Sequence, residues 1–138
     1  MSALRLALPR AMWTEMIRHA REGAPNEICG LLAGKDGRAQ RLYRTTNAEP
    51  SPVRYVVDPR EQLRILREIE AQGWEPAGVY HSHPHSPAYP SRTDVELAYW
   101  PEAFYIIVSL MAADAPEVRA FRIIDGQTSE ATLELLPD

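Results

Sequence analysis

The chain is poor in three features that define whole classes of protein: it has one cysteine, no long apolar run and no excess of basic residues. Because Cys29 has no partner for a disulfide within the chain, we expect a reducing compartment. No stretch approaches the roughly 20 apolar residues of a membrane-spanning helix, and the N-terminal apolar run is too short for a signal peptide. A net charge of −4 argues against nucleic acid as the main partner, because phosphate binding requires a basic face. We therefore predict a cytoplasmic protein that binds neither membrane nor nucleic acid.

The sequence also lacks internal repeats, low-complexity tracts and linkers. Its 138 residues, of which 45% are apolar and 25% charged, have the balance of an ordinary globular protein. A chain of this length buries about two thirds of its unfolded surface without disulfides or structural metals. We therefore predict a single domain over residues 1–138.

The apolar pattern along the chain alternates between the period of strands and the period of helices. The predicted strands cover 4–8, 28–33, 39–45, 55–57, 77–80, 104–111, 118–124 and 132–136, and the predicted helices cover 9–23, 58–73 and 91–100. This order of elements predicts an α/β sandwich in which helices flank a mixed β-sheet.

Most of the side chains with catalytic potential fall within residues 78–94. His81 and His83 end a predicted strand that Pro84 terminates, because proline has no N–H to give to a neighbouring strand. Residues two apart on a strand point to the same face, so both imidazoles can face one point. Asp94, at the start of the next predicted helix, can add a carboxylate. Two imidazoles and one carboxylate make a three-ligand zinc site with a fourth position left for water, as in hydrolytic enzymes.

Each of these residues also has a plainer interpretation. Ser91 and Asp94 fit the cap of a helix N-terminus, and histidines at strand ends are often hydrogen-bonded surface groups. His85 lies in a proline-rich loop, where we expect a solvated side chain. Glu27, at the head of an apolar run, can be a solvated charge. The combination favours a metal site, since a hydrolytic metal needs a nearby carboxylate that is not itself a ligand.

Glu27, followed by His81-Ser-His83 and then by Ser91 and Asp94, resembles the E…H-x-H-x10-D motif of the JAMM (MPN-plus) metallopeptidases. The segments Thr-Asn-Ala-Glu-Pro-Ser at 46–51 and Ala-Tyr-Pro-Ser-Arg-Thr-Asp at 88–94 are similar to the small bacterial members, and the match covers roughly residues 6–136. The resemblance implies a cytidine-deaminase-like fold and one Zn²⁺ per chain.

The resemblance also implies a role for each residue of the motif. It implies that His81, His83 and Asp94 bind the zinc, that Glu27 is the general acid and base, and that Ser91 hydrogen-bonds the reaction oxyanion. Among the small bacterial members, it implies cleavage after the C-terminal Gly-Gly of a ubiquitin-like sulfur carrier protein. The expected product is cysteine, released from a carrier–cysteine adduct in cysteine biosynthesis.

An isopeptide bond between a ubiquitin-like modifier and lysine is the alternative substrate within the same chemistry. A Gly-Gly tail would lie as an extended strand beside a sheet edge. The sequence leaves open whether the protein is a monomer or a homodimer.

Three other functions compete with the metallopeptidase. Cys29 could be a nucleophile, but it lies in an apolar run, where cysteine is usually buried, and nothing near it in sequence would lower its pKa. A non-catalytic MPN-type binding scaffold would be expected to lack the metal ligands, and all of them are present here. A nucleobase deaminase would need a Pro-Cys-x-x-Cys pair, which the sequence lacks.

Overall fold

A computed structural model describes residues 4–137 and contains seven strands and three helices within that range. In chain order they are β1 (Arg5–Pro9), α1 (Arg10–Gly23), β2 (Cys29–Lys35), β3 (Arg38–Thr45), α2 (Pro59–Ala71), β4 (Glu75–His83), α3 (Arg92–Glu96), β5 (Phe104–Ser109), β6 (Glu117–Ile124) and β7 (Gln127–Leu136). None of the helices in this range is long and apolar enough to cross a membrane.

The strands form one mixed sheet in the order β1-β3-β2-β4-β5-β6-β7, and β7 pairs with β1, so that the sheet closes. The β4·β5, β1·β7 and β1·β3 pairs are parallel, and the others are antiparallel. The predicted mixed sheet and flanking helices are confirmed. The sandwich is not confirmed, because the described strands close on one another into a barrel. Alternating apolar residues identify the strands one by one. The closure depends on β1 pairing with β7, which lie near opposite ends of the chain, and no local sequence pattern predicts such a pairing.

The two faces of the sheet carry separate apolar layers, because successive residues of a strand point to opposite sides. On one face, Met16 of α1 packs in the same cluster as Tyr80 of β4. On the other face, Ile65 of α2 packs in the same cluster as Val79. His81 lies two positions after Val79, so its side chain points to the α2 face.

Gly30 of β2 lies directly beneath the ring of Tyr80. A Cβ atom at this position would lie 2.1 Å from the ring. The ring cannot easily move away, because the Tyr80 hydroxyl lies 2.8 Å from Nδ1 of His19 and both residues are buried. The glycine therefore makes room for a polar pair inside the α1 face.

The predicted helix over 91–100 is wrong in its length, because α3 ends at Glu96. Beyond α3, the backbone N–H of Trp100 donates to the hydroxyl of Tyr105 at 2.9 Å. The Trp100 side chain packs against the apolar cluster of the α2 face. These contacts require the chain to leave the helical path before residue 100.

The predicted strand over 55–57 is also wrong, because this segment makes only an isolated bridge between Asn47 and Val57. The side chain of Asn47 takes the place of a neighbouring strand. Its Nδ2 donates to the Arg54 carbonyl at 3.1 Å, and its Oδ1 accepts from the Val56 N–H at 3.0 Å. The segment is therefore extended but lies outside the closed sheet.

Candidate metal centre

Three side chains converge on one buried point at the end of β4. Nε2 of His83 lies 3.0 Å from Oδ2 of Asp94, and Nε2 of His81 lies 3.2 Å from the same oxygen. The two imidazole nitrogens are 3.2 Å apart. All three residues are buried or nearly so. The structure thus brings together the three residues that the sequence predicted as ligands.

The spacing of these atoms fits a bound cation. Tetrahedral zinc with bonds of about 2.0–2.2 Å to nitrogen and oxygen places neighbouring ligand atoms about 3.3–3.6 Å apart. The observed separations of 3.0–3.2 Å are within a few tenths of an ångström of these values. Two imidazoles and a carboxylate are also the donor set that Zn²⁺ prefers in catalytic sites. The residues present therefore fit zinc.

Asp94 is fixed by the helix that it begins. Oγ of Ser91 accepts from the Asp94 N–H at 3.1 Å, and Oδ2 of Asp94 accepts from the Ser91 N–H at 2.9 Å, which is a complete capping box. Burial opposes ionisation of Asp94, but hydrogen bonds from His81 and His83 hold the pKa of its carboxyl well below its usual range. The plainer interpretation of the Ser91–Asp94 pair as a helix cap is thus confirmed, and it is compatible with metal binding.

Glu27 is buried, with 4% of its surface exposed, and its Oε1 has no hydrogen-bond partner among residues 4–137. Burial raises the pKa of Glu27 to about 8, and the charge of Asp94 adds to this rise while that of His83 opposes it. Glu27 does not belong to the cluster of three ligand atoms. It is thus a buried carboxylate that interacts electrostatically with His83 and Asp94 and has no salt bridge of its own among the described residues.

The pairing of β2 with β4 brings Glu27 to the centre. Cys29 pairs with His81 in antiparallel register, so the chain before Cys29 runs alongside His83. The alignment continues beyond the strand, because the Ser82 N–H donates to the Ile28 carbonyl at 3.1 Å. Asn47 holds the same segment, since its Nδ2 donates to the carbonyl of Glu27 at 3.0 Å.

The structure also decides between the other predicted roles. His85 is exposed and lies outside the cluster, as the loop interpretation predicted. Cys29 is buried, and burial raises the pKa of its thiol to about 11, so it is a poor nucleophile at neutral pH. Sequence analysis missed Tyr55, whose ring stacks on His81 with centroids 4.3 Å apart. No local pattern signals this contact, because it depends on how Asn47 holds the segment that carries Tyr55.

A strand-end His-x-His pair and a helix-capping aspartate together form the kind of ligand set that catalytic zinc sites use. The family model described as prokaryotic homologs of the JAB domain matches residues 9–124, and the chain belongs to this family. The predicted resemblance to the JAMM family is thereby confirmed.

Similar proteins are known from several organisms. The chain is 44% identical over 123 residues to the CysO-cysteine peptidase of Mycobacterium tuberculosis, covering 88% of this chain and 84% of the relative. It is 44% identical over 117 residues to the desampylase of Haloferax volcanii, covering 79% and 84%. A protein from Desulfitobacterium hafniense, solved in solution, is 37% identical with a TM-score of 0.88, covering 96% of this chain and 94% of the other.

Proposed function

We propose that this protein is a zinc-dependent hydrolase of the JAMM type. Its substrate is the amide bond that follows the C-terminal Gly-Gly of a ubiquitin-like sulfur carrier protein, and cysteine is the leaving group. The observation that carries the proposal is the convergence of His81, His83 and Asp94 near Glu27, a buried carboxylate with a partnerless oxygen. The relative named CysO-cysteine peptidase supports the class of substrate.

His81, His83 and Asp94 would hold the zinc ion. Bound there, it would polarise the scissile carbonyl and lower the pKa of a water molecule to about 7. Glu27 takes a proton from the attacking water and then gives it to the leaving amine. A general acid and base works best when its pKa lies near the working pH, and burial moves the pKa of Glu27 upwards in that direction.

Ser91 can stabilise the oxyanion that forms during attack. Its oxygen already accepts the N–H of Asp94, and its hydroxyl hydrogen has no acceptor among residues 4–137. The hydrogen is therefore free to donate to the substrate oxygen while the oxygen atom caps α3. The two roles of Ser91 do not compete.

A groove of about 290 Å³ beside the centre suits an extended peptide tail. Leu31 and Val79 line it together with Tyr55 and Tyr99. The backbone N–H and C=O groups of Tyr55 and Val57 make no hydrogen bond within residues 4–137, so alternate residues present unpaired groups, as an edge strand does. The sequence analysis placed the Gly-Gly tail beside a sheet edge, but the described strands close on one another and leave no free edge. We therefore infer that the tail lies beside residues 53–57 instead.

The proposal is tested by incubating the zinc-loaded protein with two conjugates of one carrier protein, and intact mass reports the products. In the first conjugate the C-terminal glycine is joined to cysteine, and in the second it is joined to a lysine side chain. We expect faster release of cysteine. The relative named desampylase favours including the lysine conjugate, and faster cleavage of that conjugate would support the isopeptidase alternative. If zinc-loaded protein cleaved neither conjugate, the hydrolase proposal would be contradicted in favour of a binding scaffold.

Three further statements stay predictions. They are that residues 1–138 form a single domain, that the protein works in the cytoplasm, and that a homodimer can form. Light scattering of the purified protein measures the last of these.

A further inference from the structure

The two histidines of the metal centre are oriented in different ways. Nδ1 of His83 lies 2.8 Å from the carbonyl oxygen of Pro87, so an Nδ1–H can donate to it and leave Nε2 free for a metal. Nδ1 of His81 is buried, and no described residue forms a hydrogen bond with it. Metal-ligating histidines almost always donate their second ring N–H to a carboxylate, a carbonyl or a water, which fixes the orientation of the ring. His81 lacks such a contact within the described chain.

What lies against His81 instead is the ring of Tyr55. The two ring centroids are 4.3 Å apart and the planes are inclined by 21°, which is a stacked arrangement. The ring of His83 meets that of His81 edge-on, with centroids 5.0 Å apart and planes inclined by 63°. Tyr55 therefore limits the rotation of the His81 ring about its side-chain bonds, the same freedom that a hydrogen bond at Nδ1 would remove.

The position of Tyr55 is itself fixed from two sides. Asn47 bonds the backbone on both sides of it, through the Arg54 carbonyl and the Val56 N–H. The Tyr55 side chain packs against the apolar cluster of the α2 face. Burial, and then the nearby charge of Asp94, raises the pKa of its phenol well above 10. The ring is thus held between the groove that it lines and the metal centre.

We propose that Tyr55 is a positioning residue of the metal centre, whose stacked ring fixes the plane of His81 in place of the missing hydrogen bond at Nδ1. This inference rests on the proposed zinc site. According to this inference, the planar face of the Tyr55 ring orients His81, and the Tyr55 hydroxyl does not contribute. It also predicts that the other groove tyrosine, Tyr99, which is 74% exposed, plays no part in metal binding.

The test compares zinc affinity, measured by competition with a chromogenic chelator, in four variants. Tyr55→Phe keeps the ring and should bind zinc within twofold of the unmodified protein. Tyr55→Leu and Tyr55→Met fill the space without a planar face, and each should weaken zinc binding about tenfold, the lower end of the loss when a group that orients a ligand is removed. Tyr99→Ala, the matched control from the same groove, should leave the affinity unchanged.

A second readout is the visible absorption of the cobalt(II)-substituted protein, which reports the arrangement of the ligands. The spectrum should change in Tyr55→Leu and Tyr55→Met and stay the same in Tyr55→Phe. Full zinc affinity with an unchanged cobalt spectrum in folded Tyr55→Leu or Tyr55→Met would overturn the inference. So would a loss of zinc affinity in Tyr55→Phe equal to that in the Leu and Met variants.

Loss of the far-ultraviolet circular dichroism spectrum in both the Leu and Met variants would also overturn it, because Tyr55 would then be a residue of the fold. If the unmodified protein bound no zinc, the proposed function would fail, which is a separate result.

Discussion

Two buried polar clusters lie back to back on β4 and differ in how their polar atoms are satisfied. On the α1 face, Tyr80 and His19 form one hydrogen bond of 2.8 Å inside the apolar core. On the α2 face, His81 Nδ1 and Glu27 Oε1 are buried and find no hydrogen-bond partner in the described part of the chain, and two imidazole nitrogens lie within 3.2 Å of one oxygen of Asp94. Buried polar atoms without partners cost free energy, so native proteins keep few of them. The comparison teaches that the α1 cluster is satisfied within the fold, whereas the α2 cluster has the unpaired polar atoms expected of the proposed metal site.

The first prediction concerns Glu27→Gln on the α2 face and has the largest expected effect. Removing a general acid and base typically lowers turnover by about 10²–10⁴-fold. Because Glu27 lies outside the ligand cluster, zinc content should stay at the level of the unmodified protein. Glu75→Gln, an exposed glutamate at the other end of β4, is the control and should change neither quantity. Turnover of Glu27→Gln at the unmodified rate would remove Glu27 from the mechanism.

Ser91→Ala separates the two roles of a residue on the same face. Loss of one oxyanion donor should lower kcat by about 10²–10³-fold. Loss of the cap should also destabilise α3 by about 1 kcal/mol. Ser91→Thr keeps the hydroxyl and should retain most of both quantities. A normal kcat with lowered stability in Ser91→Ala would leave Ser91 with the capping role alone.

On the α1 face, the polar pair should affect stability and leave activity alone. Burial, and then the positive charge of Arg44, lowers the pKa of His19 from 6.5 to about 4. Between about pH 6.5 and pH 4, His19 is therefore protonated in the unfolded chain and neutral in the folded chain. The stability that neutral His19 provides is fully present above pH 6.5 and is lost as the pH falls, by about 3 kcal/mol in total.

Urea unfolding of the protein and of His19→Gln between pH 7 and pH 4 measures this loss. The acid loss of stability should be smaller in His19→Gln, and the difference between the two proteins isolates His19 from the other titrating groups. Parallel curves for the two proteins would show that His19 titrates alike in the folded and unfolded chain.

Gly30→Ala is expected to have the smallest effect. Its Cβ would lie 2.1 Å from the Tyr80 ring, so the ring or the strand must shift. Overpacking of this kind costs about 1–3 kcal/mol of unfolding free energy. Zinc affinity, measured where the variant is folded, should change little, because the clash lies on the α1 face. A large loss of zinc affinity in the folded variant would show that the two faces of β4 are coupled.

The sequence predicted those parts of the centre that follow local rules. His81 and His83 share a face because a strand repeats every two residues, and Asp94 lies at a helix start because Ser91 caps that helix. The closure of the sheet depends on the contact of β1 with β7, which no local pattern encodes. The Tyr55 stack was missed for a similar reason.

Two segments that fit a regular pattern also behave otherwise in the fold. Residues 55–57 have the composition of a strand, yet the Asn47 side chain replaces a strand partner. Residues 97–100 continue a helical pattern, yet the contact of Trp100 with Tyr105 ends the helix earlier. In both segments a contact with a residue five to nine positions away outweighs the local preference.

The central claim is that His81, His83 and Asp94 hold one zinc ion. The most direct test is the metal content of the zinc-loaded, desalted protein, measured by elemental mass spectrometry beside His81→Ala and Asp94→Ala. The account predicts one zinc per chain in the unmodified protein and almost none in either variant, with the fold retained. An unmodified protein that retains no zinc, or variants that retain as much as it does, would contradict the account.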